Sequence, residues 1–377
     1  MDFSNRNLGR YGLVAVIAFY FLIIAAASWF FPRANWDMVA YTAVAIEDDY
    51  SSAADLHAAA WSAVSDRISK GELVVLTEDR QYRVDQYADP DAFESMLPFY
   101  RIKVLYVEAA SLLAEFMQPV DALRLISTFS VLAIGVICLI WVWPSARLPD
   151  ALLILPLVVL SDVGYLGQYV VPDLFSTVFL LAGVLLWLRG ASWLAILPSL
   201  LAILARPDHV AFIGLWALAG IVTRTGWKPM VVMLVLALPT YLVTSVLADH
   251  PGWWVHFYFS NIEMVSTIEG FHPAFSPIAY IGAIVKGAVR SLVTESWWAV
   301  FCVEVLAAGF IVFQWRKVDA RIITIVGAAM LTIPAKFFIA PMWETRFYTG
   351  YLIMIGLCLL GPFHQALRNS SETRSAT

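Results

Sequence analysis

An all-α integral membrane bundle is the fold this sequence predicts, and three observations predict it. Of the 377 residues, 60% are hydrophobic and only 14% charged, far from the balance of a soluble domain. Apolar runs suited to crossing a bilayer recur along the chain, about ten in all against the roughly 17–25 residues that a transmembrane helix needs. A single long polar segment, 32–121, separates the first run from the rest. The net charge of -5 provides no basic field, so nucleic acid is excluded as a partner. Cys138, Cys302 and Cys358 all lie inside apolar runs without ligand-like spacing, which predicts neither disulfides nor a zinc-thiolate site.

The first run, Tyr11 to Phe31, follows Arg6 and Arg10. It exceeds the 7–15 residues of a signal h-region and continues through Trp29 and Phe30, so it is a retained span. Further runs fall at 122–143, 149–161, 170–188, 192–205, 208–223, 229–247, 297–315, 322–340 and 347–364. Those at 149–161 and 192–205 are short and contain Pro156 and Pro198, which places them inside a bundle, where protein rather than lipid surrounds their ends.

Two stretches, 99–116 and 278–293, carry charges on one helical face: Arg101, Glu108 and Glu115 in the first, Lys286 and Arg290 in the second. Both fit the membrane interface better than its core. With neither spanning, Arg147, Arg189, Arg224, Lys228, Arg316, Lys317, Arg321 and Arg368 share one side with Arg6 and Arg10. The positive-inside rule makes that side cytoplasmic, with both termini there. The exported side then holds 32–121 and 248–296 within a single 1–377 domain, and 365–377 is a cytoplasmic tail.

Within 32–121, Asn35 can cap a helix bearing Val39, Ala43 and Ile46, and Ser52 with Asp55 opens another that ends before Gly71. The charge-rich stretch 77–94 reads as irregular surface loop. The last residues, "NSSETRSAT", read as disordered, and Asn369 fits a glycosylation sequon by chance.

An apolar first helix, a large outer segment opening on "NWDMVAY", an amphipathic "PFYRIKVLY" and then many spans form an order that resembles the GT-C superfamily of membrane glycosyltransferases, such as the protein O-mannosyltransferases and the aminoarabinose transferases. Looser echoes are "VPDLFSTVFLLAGVLLWLRG" with Asp173, "LAILARPDHVAFIGLWAL" with Arg206, and "PMWETRFYTGYLI" with Glu344 and Arg346. The resemblance implies a sugar donor carried on a polyprenyl phosphate, a lipid or glycan acceptor, and an acid facing the acceptor, here Asp37. The sequence departs from that pattern in two places. Met38 follows Asp37, so there is no Asp-Glu pair, and Phe347 stands where Tyr often follows the Arg.

Such transfer needs a base for the attacking hydroxyl and cations for the phosphate. Asp37 is the candidate base, and its alternative role is to favour the helix N-terminus beside Asn35. Arg101, Lys103, Arg206 and Arg346 are the candidate phosphate ligands, with snorkelling to lipid headgroups the alternative, above all for Lys103. Asp48 and Asp49, beside Glu47, are of the type that holds a divalent cation, although acidic loops are ordinarily just hydrated. Asp173, Tyr165, Gln168 and Glu344 are pocket candidates by position. Glu304 and Lys336, deeper in spans, would serve a transport pathway or pair with each other. His209 and His256 read as hydrogen-bonded interfacial residues, and Trp253, Trp254, Trp297 and Trp298 as an aromatic belt. Two other functions share this architecture: a transporter, for which internal repeats are lacking, and a non-catalytic protein that binds lipid-linked sugars.

Overall fold

The computed structural model describes residues 3–143, 148–314 and 318–375, and among them 79% are helical and none is in a strand. Long apolar α1 (Phe3–Phe30) is followed by seven short helices: α2 (Trp36–Ile46), α3 (Ala53–Ser65), α4 (Lys70–Glu78), α5 (Gln81–Ala88), α6 (Pro90–Ser95), α7 (Pro98–Arg101) and α8 (Val104–Ala114). The bundle continues with α9 (Pro119–Val142), α10 (Leu148–Leu160), α11 (Val163–Gly167), α12 (Asp173–Leu188), α13 (Ile196–Ala205), α14 (Val210–Val222) and α15 (Trp227–Leu247). It closes with α16 (Trp253–Asn261), α17 (Pro277–Thr294), α18 (Trp297–Gln314), α19 (Ala320–Ile339) and α20 (Thr349–Ser375).

Seven of the described helices are long and apolar enough to cross a membrane: α1, α9, α15, α17, α18, α19 and the first part of α20. The chain is an integral membrane protein. The expected runs at 149–161, 170–188, 192–205 and 208–223 form α10, α12, α13 and α14, each shorter than 18 residues, so the count of about ten is not reached by length. The interior of this bundle is apolar and continuous from Leu13 through Trp187 and Trp216 to Ile355.

A second apolar core lies over one end of the bundle, here called the capped end. Trp36, Trp61, Tyr82 and Phe93 meet edge to face within it. α2 is buried at nine of its eleven positions, so this helix is a core element and not a surface one. Asn35 caps it as expected, Oδ1 accepting from the Met38 N–H at 3.1 Å. Ser52 caps α3 in the same way through Asp55. The second polar segment joins this cap: Gln86 donates to the Ser266 carbonyl, and Val255 packs on Met96 and Phe99.

Several expectations need correction. The stretch 77–94 is not irregular: Asp89 accepts from the Asp91 and Ala92 N–H groups to cap α6, Gln81 bonds Asp85, and Arg83 pairs with Asp79. Its charges occupy the solvated faces of helices whose other faces bury Tyr82 and Phe93. The face shared by Arg101 and Glu108 does not exist, because the chain breaks at Ile102 and Lys103 between α7 and α8. α20 runs on to Ser375 in place of a disordered tail, as extending a helix costs far less than nucleating one. Arg147, Arg316 and Lys317, and the side chains of Arg6, Arg368 and Asn369, lie outside the described residues.

α17 qualifies as a span by length, yet both its ends touch the capped end. Tyr280 donates to the Phe338 carbonyl at 2.6 Å, and Glu295, its C-cap, accepts from Thr345. Only a thin stripe of Ala283, Gly287 and Ser291 is buried. At the opposite end of the bundle, Arg10 donates to the Trp143 carbonyl, Arg189 to Ile140 and Arg321 to Trp187.

Helices α1 and α9 approach closely at Gly135, where a methyl group would fall 2.6 Å from Phe21 Cγ, whereas Gly309 in α18 has nothing within 4 Å. Gly135→Ala is therefore expected to cost about 1–3 kcal/mol through overpacking, although helix propensity alone favours Ala by about 1 kcal/mol. Gly309→Ala should be neutral or stabilising. Thermal unfolding of the two variants in detergent checks the contrast.

Candidate functional site

The site is assembled from helix ends at the capped end: the first turn of α2, the turn between α7 and α8, the start of α12, the 206–209 turn, the end of α19, and the 345–347 turn before α20. Helix ends suit this task because their polar groups lack intrahelical partners and their side chains converge on one plane.

Asp37 sits one residue into α2, with 22% of its side chain exposed. Its Oδ2 accepts from Arg346 Nη1 at 2.8 Å and its Oδ1 from the Tyr100 hydroxyl at 3.4 Å. The capping role belongs to Asn35, which leaves the Asp37 carboxylate turned toward other elements. Arg346 also has Glu344 Oε2 2.5 Å from its Nε, an ion pair whose geometry does not satisfy a hydrogen bond.

Beside this pair lies a buried network. Arg206 bonds both oxygens of Asp208, each at 3.0 Å, and its Nη1 pairs with Asp173. Lys336 completes the network, reaching Asp208 at 2.5 Å and the Phe347 carbonyl at 2.6 Å. Burial opposes ionisation of Asp208, but Arg206 and Lys336 outweigh it and hold the carboxyl well below its ordinary range. His209 in the same turn is buried between the Tyr351 hydroxyl at 2.8 Å and Ser176 at 3.0 Å.

The Phe347 ring ties the two groups together. Arg346 lies 4.8 Å, Arg206 5.1 Å and Lys336 5.8 Å from its centroid. A cation within about 6 Å of an aromatic face is attracted by the ring quadrupole, so one side chain separates three like charges while attracting each. Phe347 thus has a physical role here.

Lys103 donates to the Phe99 carbonyl and has no carboxylate within ion-pair distance among the described residues. Phe99 is fixed by the stacked His256 ring at 4.5 Å, and His256 in turn contacts His250 at 3.0 Å. Burial, reinforced by Arg206 and opposed by Asp37, Asp208 and Asp173, pulls the Lys103 ammonium down to about 8. Burial and Lys103 likewise hold His250 down to about 4.

Of the residues singled out in the sequence, Asp37, Lys103, Asp173, Arg206, Glu344 and Arg346 are brought together. Arg101 is not: it pairs with Glu47 at 2.7 Å, and Glu47 lies about 15 Å along α2 from Asp37 at a rise of 1.5 Å per residue. Asp48 and Asp49 line a separate cleft of about 620 Å³ with Asp66 and Glu115. Among the described residues no group of three or more His, Cys, Asp or Glu side chains is placed to hold a metal ion. Tyr165 is half exposed under Arg33 at 5.2 Å, while Gln168 accepts from the Arg33 N–H through its backbone carbonyl and donates its own N–H to the Tyr165 carbonyl.

Glu304 and Lys336 do not pair. α20 packs between α18 and α19, and Lys336 turns to Asp208, leaving both Glu304 oxygens buried without a hydrogen-bond partner among the described residues. Trp297 is not a belt residue, being 1% exposed and stacked on Tyr348 at 4.1 Å. Sequence reasoning missed Tyr100, Asp208 and the side to which Lys336 turns. The one available signal was Asp208 following Arg206-Pro207, a spacing that folds an acid back onto its base.

Comparison with known protein families, with curated proteins and with solved structures finds no match.

The pKa of Lys103 has a measurable consequence. Between pH 8 and 10.5 the unfolded chain binds the proton and the folded one does not, so stability should rise with pH across that window. Lys103→Met should abolish the rise, as measured by thermal unfolding in detergent from pH 7.5 to 10.

Proposed function

We propose that this protein is a membrane glycosyltransferase that moves a sugar from a polyprenyl-phosphate donor to a lipid or glycan acceptor. The reading rests on the Asp37–Arg346 contact: a carboxylate and a guanidinium from opposite ends of the chain, beside Arg206, Lys336 and Lys103. Arg189 and Arg321 at the opposite end of the bundle support an orientation with the site on the exported face of a bacterial-type inner membrane and both termini inside.

In this reading the donor reaches the site laterally from the bilayer and its phosphate draws on the cations around Phe347. Four acids, Asp37, Asp173, Asp208 and Glu344, balance the four cations Lys103, Arg206, Lys336 and Arg346 before it arrives. An arriving phosphate competes with Asp37 for Arg346, and the Oδ2 so released can accept the proton of the acceptor hydroxyl. The hydroxyl oxygen then bonds the anomeric carbon while the carbon–oxygen bond to phosphate breaks. The electron pair leaves with the phosphate, whose charge the guanidinium groups meet. Attack opposite the leaving group inverts the anomeric centre. Tyr100, bonded to the other oxygen, holds the carboxylate in place.

Asp37→Asn keeps the size of the side chain and its bond to Arg346 but removes the base. Sugar transfer in membranes supplied with polyprenyl-phosphate sugar should fall by about 10²–10⁴-fold, with expression unchanged. Unaltered turnover would remove Asp37 from the chemistry and favour a protein that binds lipid-linked sugars without transferring them.

A further inference from the structure

The residue that carries Arg346 into the site is itself held from outside the site. Thr345, 1% exposed, donates both its N–H and its hydroxyl to Glu295 Oε2, each at 2.9 Å. Glu295 lies at the junction of α17 and α18. Two residues on, Trp297 donates to the Trp343 carbonyl at 2.9 Å and stacks on Tyr348. From the other side comes the corner between α10 and α11. Thr349 donates to the Ser161 carbonyl at 2.8 Å, and the Asp162 carboxyl lies beside Thr345 and Glu295. Asp162 adopts φ 62, a left-handed conformation uncommon outside glycine, which aims the corner at the turn. Ser296 closes the circuit by donating to the Leu160 carbonyl at 2.7 Å.

One carboxylate, that of Glu295, therefore takes both donors of one threonine with the Asp162 carboxyl close by, and neither acid has a cation within 4.0 Å among the described residues. An apolar contact would hold a turn at smaller desolvation cost. What the carboxylate adds is direction, because the first N–H of a turn has no partner within it and takes its orientation from what it meets. The charged neighbours of Thr345 in the chain, Glu344 and Arg346, are occupied with each other.

We propose that Glu295, together with Asp162, is a positioning residue that sets the Arg346 guanidinium against Asp37 by fixing Thr345. The proposal rests on the reading of Arg346 as a phosphate ligand. Asp162, pushed up to about 6 by burial and by the Glu295 charge, is protonated and uncharged below that pH, which leaves the Glu295 carboxylate without a like charge beside it. Above it two like charges face Thr345 and the grip loosens.

Two measurements on the full chain in nanodiscs test this. In the first, hydrogen exchange of the peptide covering 340–348, corrected for intrinsic rate, is followed from pH 5 to 8. Protection should fall about tenfold as pH rises through 6 in the wild type, stay flat in Asp162→Asn, and be low throughout in Glu295→Ala. Glu295→Gln, which keeps an acceptor oxygen, should recover part of it and serves if the alanine variant fails to fold. Wild-type protection that is insensitive to Glu295→Gln and Asp162→Asn overturns the grip.

The second measurement compares binding of farnesyl phosphate with that of farnesol at pH 5.5, where the grip is intact. The phosphate preference should drop about tenfold in Glu295→Ala and in Arg346→Ala, and the double variant should be no weaker than Arg346→Ala alone. Additive losses, or wild-type binding by Glu295→Ala, would show that Glu295 does not act through Arg346. A wild-type protein with no preference for farnesyl phosphate refutes the proposed function instead, and the exchange experiment still decides the grip.

Discussion

The ion pair between Asp37 and Arg346 joins residues 309 apart in sequence, and the rest of the capped end is organised around making it possible. Neither partner could be placed by its own segment. Asp37 is fixed because α2 is buried on nearly every side, so that the first turn of the helix has one direction in which to extend a charge. Arg346 is fixed because its neighbours on both sides are bonded to other elements, Thr345 to Glu295 and Phe347 to Lys336. Charges taken out of water persist only when paired, and this pair closes the cap onto the bundle.

Electroneutrality governs what surrounds it. Arg206, Lys336 and Arg346 meet around one phenyl ring, an arrangement that mutual repulsion would disperse without Asp173, Asp208 and Asp37. Such a cluster suits an anionic ligand that must bind and later depart. The carboxylates satisfy the cations when the site is empty and can yield one to a phosphate, and the carboxylate so released is then free to accept a proton. A guanidinium offers parallel donors for that exchange, whereas the Lys103 ammonium supplies a point charge held ready by a single carbonyl.

Much of the fold was legible because membrane helices announce themselves by composition. The apolar runs from 122–143 to 322–340 all became helices near the expected bounds, and 347–364 became the first part of a helix that runs on to Ser375. The caps at Asn35 and Ser52 were legible for a local reason, since the donor and acceptor lie three residues apart. The stretch 77–94 was misread because its amphipathicity is tied to Trp36, a partner more than forty residues away that periodicity cannot show. At the site, a resemblance of motif order pointed to Asp37, Arg206 and Arg346. Arg101 was misassigned because proximity in sequence to Tyr100 and Lys103 says nothing of the side on which a four-residue helix sends each chain. The partnership of Lys336 with Asp208 depended on α20 lying between α18 and α19, which is a fact of packing alone.

The central claim is that a lipid phosphate and Asp37 compete for the same guanidinium. The most direct measurement is an experimental structure in nanodiscs with a polyprenyl-phosphate ligand added. The account predicts phosphate density within hydrogen-bonding distance of Arg346, with Asp37 Oδ2 released from Arg346 Nη1 and its carboxylate still held by Tyr100. Density bound elsewhere on the protein, with the Asp37–Arg346 pair undisturbed, would contradict it.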